Sequence, residues 1–414
     1  MKAAARVLAR LLLVVLLLAI GFLALTPMGR YIARAAWDEG RILARREPIP
    51  ELVRSTATDP RTRAKLQLVL DARAFASDSV GLEAGESFTT FSQLTTDTLV
   101  LVLAGAYRDK LESYTWWFPV VGSVPYKGFF DPADAQRAAS DMERRGFDVY
   151  LRPASAFSTL GWFNDPLLST TLELDSASLA NTVIHELTHN TFYAPGEAIF
   201  NESFANFVGS RGAMWYFRSR GDSVNERLSE EDWARDKRMG RFWESLYRSL
   251  DSAFEAHPGD RKARLAASAA IYAQAESVFT DSVAPELPGY GSRPAARPQL
   301  NNAILLARRV YRTGLDDFDA VFSLEGNDLK RAMRQIIALA KSRPEDPYGA
   351  LREWLATHAP DSTAVSSAAN TNTSRKARTT SRLASSLEGA RPSSSRATDV
   401  MTTPSIPQGT MRSK

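Results

Sequence analysis

The hydrophobic pattern opens on an uncharged stretch, Leu11–Gly29 (LLLVVLLLAIGFLALTPMG). As a helix its nineteen residues span about 28 Å, close to one bilayer core, and it has no polar face. Lys2, Arg6 and Arg10 precede it. It therefore reads as a transmembrane helix, a signal anchor or long signal peptide over residues 1–30. No small-residue cleavage site is evident near Thr26–Met28, which favours a retained anchor with the following domain outside the cytoplasm. Five arginines between Arg30 and Arg46 blur the charge rule for orientation.

Beyond the span the pattern alternates between helix and strand signals. Residues 31–80 are helical and polar, with a break at Pro48–Pro50. Thr98–Leu103 (TLVLVL) predicts a buried strand. Pro119–Phe130 carries the Pro and Gly punctuation of a hairpin. Pro132–Arg145 predicts a helix and Asp148–Leu151 a further strand. Thr170–Leu174 (TTLEL) alternates like an edge strand. From Ser223 to Lys341 the pattern is almost wholly helical, with a loop at Pro285–Pro298. After Asp361 large apolar residues nearly vanish, so 361–414 is expected to be a disordered basic Ser/Thr-rich tail. The expected architecture is α+β. It has a zincin-like catalytic core with a small mixed sheet on the central helix, a mostly helical C-terminal portion covering the cleft, and one domain over 31–360.

Charge and composition narrow the function. The net charge is +4, but the first ten residues carry +3 and the tail +5, leaving −4 for residues 11–360. No basic stripe interleaved with aromatic residues stands out, so a nucleic-acid partner is excluded. The chain has no Cys. Disulfides, thiolate metal sites and lipoprotein processing are therefore excluded, and any metal must be held by His, Asp or Glu.

The candidate chemistry lies in Asn181–Ala205, NTVIHELTHNTFYAPGEAIFNESFA. His185 and His189 stand at i and i+4, one turn apart on one helix face, a spacing that chelates a single zinc. Glu186, beside them, is placed to take a proton from a zinc-activated water and return it to the leaving amine. With four His in the chain, a chance HExxH is expected about 0.002 times. Asp175, Ser176 or Ser178 can cap this helix. A catalytic zinc needs a third protein ligand. Pro195–Gly196 turns the chain, and on the next helix Glu202 shares a face with Ala205, Asn206 and Gly209. These small neighbours permit a close approach, so Glu202 is the expected ligand; Glu197, in the turn, is the rival. Asn206 is a candidate hydrogen-bond partner for a ligating histidine. Tyr193 and Tyr126 are candidate donors to a developing oxyanion, with a buried structural tyrosine as the ordinary alternative. Ser158, Thr159, Asn164 and Asp165 are candidates for lining a cleft. His257 and His358 read as surface residues.

Asn201–Ala205 (NESFA) resembles the NExxA element that carries the glutamate ligand of gluzincins such as thermolysin-like and aminopeptidase N-like enzymes. Here only twelve residues separate His189 from Glu202, fewer than in those families. The longer pattern is similar to the bacterial putative aminopeptidase family, whose members are often membrane-bound. The resembling blocks are Trp117–Phe130, Ala156–Leu168 (AFSTLGWFNDPLL), Ile184–Tyr193, Phe200–Ala205 and, more weakly, Asn301–Ala307 (NNAILLA). The resemblance implies a zinc metallopeptidase acting on peptides, with His185, His189 and Glu202 as ligands and Glu186 as the acid/base. Aminopeptidase N-like enzymes also use a GxMxN segment, which this chain lacks. Exopeptidase specificity thus rests on the resemblance alone, and a zinc endopeptidase or a non-catalytic envelope protein on a protease fold are the alternatives.

Overall fold

The computed structural model describes residues 2–94, 100–118, 122–154, 166–287 and 299–358. The apolar stretch forms helix α1 (Lys2–Leu25), and the membrane-length segment within it is Ala4–Leu25, with none of its most apolar window buried. The helix stops four residues short of the expected Gly29. Pro27 lacks the amide and sterically blocks continuation of the helix, while the Thr26 hydroxyl accepts from the Gly29 amide at 2.8 Å and starts α2 (Pro27–Ala44). Helix α2 docks on the body of the protein. Tyr31 donates to the Gly128 carbonyl at 2.8 Å, and Arg34 pairs with Asp131 and Asp134.

The chain continues through β1 (Glu47–Pro48), α3 (Ile49–Arg54) and α4 (Pro60–Phe75) to β2 (Thr90–Ser92). Next come β3 (Val100–Tyr107), the hairpin β4 (Trp116–Phe118) and β5 (Gly122–Val124), and β6 (Tyr126–Phe129). Helix α5 (Pro132–Arg144), β7 (Phe147–Ala154) and β8 (Leu167–Leu168) complete the β-rich part. In place of the single mixed sheet expected from the sequence, the described residues form three small sheets. The largest, β6-β3-β7, is wholly antiparallel; β1-β2-β8 is mixed, and β4-β5 is the hairpin. Thr171–Glu173 is a 3-10 turn rather than the expected edge strand, and the pairing residues are Leu167 and Leu168 just before it.

Alternation sorts the faces of the β6-β3-β7 sheet. Leu103, Phe129, Phe147, Val149 and Leu151 pack on Ala135, Ala139 and Met142 of α5. The opposite face carries Tyr126 and Tyr150 on either side of Ala104, and Arg152 beside Val102. This sheet does not cover the apolar side of the motif helix, α6 (Ser176–Thr191). Leu179, Val183, Ile184 and Leu187 of α6 instead join one helical core with α4 and α7 (Ala198–Ser219). The remaining helices are α8 (Ser223–Glu255), α9 (Arg261–Val278), α10 (Asn302–Arg309), α11 (Leu315–Leu324), α12 (Leu329–Ser342) and α13 (Pro347–His358). Helices α11 to α13 close the same core, while α8, α9 and α10 build a second one. Asp319 of α11 ties α7 and α8 together by accepting from Arg211 Nε at 3.0 Å, Trp233 Nε1 at 3.0 Å and Lys237 Nζ at 2.5 Å.

Helix α6 is capped by Asp175, whose carboxylate accepts from the Ser178 amide at 2.8 Å. Its contact with α7 is made by glycine. A Cβ on Gly209 would lie 2.9 Å from the Asn181 carbonyl oxygen, and one on Gly212 would lie 2.9 Å from Ile184 Cγ2. Asn181 Nδ2 donates across the contact to Ser210 Oγ at 3.2 Å. The residues called as cleft lining, Ser158, Thr159, Asn164 and Asp165, and the tail 361–414 lie outside the described residues.

Gly209→Ala tests this contact because two effects oppose. Helix propensity alone favours Ala by about 1 kcal/mol, whereas forcing the helices apart costs about 1–3 kcal/mol. A lowered Tm is expected in thermal unfolding; a Tm at or above that of the parent would show that α6 and α7 part freely.

Candidate metal centre

The glycine contact sets the spacing at which α6 and α7 face one another, and three side chains meet across it. His185 Nε2 lies 3.3 Å from His189 Nε2 and 3.3 Å from Glu202 Oε2, and His189 Nε2 lies 3.7 Å from the same oxygen. A tetrahedral ion with ligand bonds near 2.0–2.1 Å has ligand–ligand edges of about 3.3 Å. The triangle therefore fits one small divalent cation. Among the described residues these three are the group of His and acidic side chains able to hold a metal ion. All three are partly buried, which suits a site open on one side.

The turn between the helices is pinned by the residue before Glu202. Asn201 is buried; its Oδ1 accepts from the Ala194 amide at 2.8 Å and its Nδ2 donates to the Ala194 carbonyl at 2.8 Å. Glu197 sits at the N-cap of α7 and takes no part in the triangle. Glu186, half-buried on α6, is near enough for its charge to raise the pKa of both His189 and Tyr311.

Electrostatics within the triangle favour an ionised acid. Burial pushes Glu202 up, but hydrogen bonds and charge from His185 and His189 outweigh it and hold the carboxyl at about 2. Burial pulls His189 down, yet the hydrogen bond and charge of Glu202, with Glu186, keep it above the ordinary histidine value. Metal loading must displace any proton on His189, so metal affinity rises with pH through the histidine range and falls as His189 takes up its proton.

The structure adds two residues that sequence reasoning missed. Tyr311 follows α10, and its ring centroid lies 6.3 Å from that of His185. Its turn is clamped by the neighbours of Glu202. Ser203 Oγ donates to the Val310 carbonyl at 3.0 Å and accepts from the Thr313 amide at 3.0 Å, and Asn206 Nδ2 donates to the Tyr311 carbonyl at 3.0 Å. Asn206 also donates to Asp236 at 3.1 Å, so its amide is committed to α8 and this turn rather than to a histidine. Burial, with the charge of Glu202, pushes Tyr311 up to about 12, and it is protonated at neutral pH. Tyr126 is raised by the same two causes.

Arg152 of β7 is the second addition. Its charge bears on both Tyr126 and Tyr311. The alternation of FDVYLR in β7, with Asp148, Tyr150 and Arg152 on one face, was a visible signal for it. Nothing local marked Tyr311, 109 positions from Glu202. Tyr193 lies near Tyr126 but is 58% exposed. His257 and His358 are exposed and apart from the site, as the sequence suggested.

A family model described as "Putative aminopeptidase" matches residues 30–351. No curated protein and no solved structure matches the chain.

The geometry distinguishes the two candidate acids. Glu202→Ala should lose most of the bound metal in elemental analysis, whereas Glu197→Ala should keep it. The reverse pattern would show that the triangle is not the metal site.

Proposed function

The chain belongs to the putative aminopeptidase family, and from that membership we propose that it is a zinc-dependent peptidase. His185, His189 and Glu202 hold the ion on a zincin-like core, in the domain spanning 31–360. The observation that carries the reading is the ligand triangle with edges of 3.3–3.7 Å, formed on a helix that also carries Glu186. Two neutral imidazoles and one carboxylate are the donor set of a hydrolytic zinc rather than of a hard cation, which prefers oxygen ligands throughout. Zinc, when bound there, supplies Lewis acidity toward a carbonyl oxygen and lowers the pKa of water.

The chain's own groups do the rest. Glu186 takes the proton of the attacking water and returns it to the leaving nitrogen. Tyr311 and Tyr126 keep their protons at neutral pH and can donate to the oxygen on which charge develops. Tyr311 is better placed for this than Tyr193: its ring lies beside His185, while Tyr193 is largely solvated. Helix α1 is long and apolar enough to be a membrane anchor or signal sequence. We assign it as an anchor that tethers the peptidase domain on the periplasmic side.

The alternative is an endopeptidase, because the chain lacks the GxMxN segment whose acid grips a substrate's free amine in aminopeptidase N-like enzymes. Mass spectrometry of peptides digested by the protein separates the modes: cuts confined to N-termini indicate an aminopeptidase, and internal cuts an endopeptidase.

Glu186→Gln is the central test. It should retain zinc and fold while losing about 10²–10⁴-fold in kcat. Zinc-dependent cleavage at the parental rate would overturn the mechanism, and zinc loss would place Glu186 among the ligands. Topology is checked in spheroplasts, where external protease should degrade the domain after α1; complete protection would put it on the cytoplasmic side.

A further inference from the structure

The face of the β6-β3-β7 sheet turned away from α5 carries a cation, Arg152, whose charge acts on Tyr126 and Tyr311. Arg152 is paired across the ladder with Val102, which places it on the face that carries Tyr126 and Tyr150. The strand register fixes this direction, since Leu151, its neighbour, points the other way into the core against α5. The guanidinium is half-buried. Among the described residues it makes no ion pair and no hydrogen bond, unlike Arg34, Arg211, Arg309 and Arg312, which all hold carboxylates. A half-buried guanidinium without a partner among the described residues keeps its fork of donors free for an anion.

The surroundings specify the anion. The hydroxyls of Tyr126 and Tyr311 both lie within reach of the Arg152 charge. This side of the cleft thus offers hydrogen-bond donors grouped around a planar fork, with the carboxylate of Glu202 turned to the histidines. A guanidinium takes a carboxylate in two parallel hydrogen bonds, a geometry an ammonium cannot match. We infer that Arg152 is a substrate-binding residue, and that the preferred substrates are short peptides presenting a carboxylate to it. That carboxylate is either the free C-terminus or an acidic side chain. The inference rests on the metal-centre reading for the position of the cleft, and it deepens the peptidase proposal by naming what the cleft recognises.

Isothermal titration calorimetry on the full chain in detergent tests it. The zinc-loaded Glu186→Gln protein is used so that bound peptide is not consumed. Three peptides of one apolar sequence are compared: the free C-terminal acid, its amide, and an amide carrying one Asp. The free acid or the Asp peptide should bind about 10- to 100-fold more tightly than the plain amide, the range expected for a charged hydrogen-bonded pair. Arg152→Gln should abolish that preference, with zinc content and Tm unchanged. Arg152→Lys should keep part of it, since the charge remains and the fork is lost; this variant also serves if the Gln protein does not fold. Preference for the free acid identifies the C-terminus as the source, and preference for the Asp peptide identifies a side chain. Equal affinities, absence of binding, or a preference that survives Arg152→Gln would each overturn the assignment. If the parent enzyme cleaves none of the peptides while the Arg152-dependent preference persists, the hydrolytic reading fails and the carboxylate site stands.

Discussion

The separation of α6 and α7 is the constraint on which the site depends. Two glycines on α7 let its backbone meet α6 where any Cβ would press on the Asn181 carbonyl or on Ile184. The apolar residues around them, Leu179, Val183 and Leu187 on one helix and Phe200, Phe204 and Phe207 on the other, supply the burial that drives the helices together. At that distance a glutamate on α7 reaches two histidines on α6, and the three donors form a triangle of metal-binding size. A helix pair held one or two ångströms further apart would carry the same residues without forming the site.

The same segment of α7 organises the cleft's second wall. Asn201, Ser203 and Asn206 flank Glu202, and each bonds backbone groups elsewhere: Asn201 on the inter-helix turn, Ser203 and Asn206 on the turn carrying Tyr311, with Asn206 also reaching Asp236. Buried polar groups of this kind are destabilising unless satisfied, so each fixes its partner turn. Glu202, turn and tyrosine are therefore coupled, and a change at Ser203 or Asn206 is felt at Tyr311 as well as at Glu202. Asp319, accepting from Arg211 and Trp233, anchors the far end of α7 to α8 and α11 in the same manner.

The third wall comes from the sheet. Leu103, Val149 and Leu151 on one face pack on α5, while Tyr126 and Arg152 lie on the other. Strand periodicity makes this division of labour possible in one short element. The result is a cleft with the His185–His189–Glu202 triangle and Glu186 on the helical side, Tyr311 in the turn after α10, and Tyr126 with Arg152 on the sheet.

By itself the sequence determined the features that are local. The i, i+4 histidines, the intervening Glu186, the Asp175 cap and the Pro195–Gly196 turn all express short-range periodicity, and each is where the spacing placed it. The apolar helix was legible for the same reason, although the Thr26–Pro27 cap that ends it at Leu25 was read as part of the span. The small residues along α7 signalled a close helix contact and so favoured Glu202 over Glu197. Strand pairing was less legible, because β1, β2, β4, β5 and β8 have three residues or fewer and carry too little alternation to register. Only the tertiary structure decided which surfaces surround the candidate metal triangle. Tyr311 comes to His185 through a turn held by Ser203 and Asn206, and the register of β7 on β3 sets the face on which Arg152 lies. Both depend on contacts between residues far apart in sequence, and such contacts leave no periodic trace in the chain that makes them.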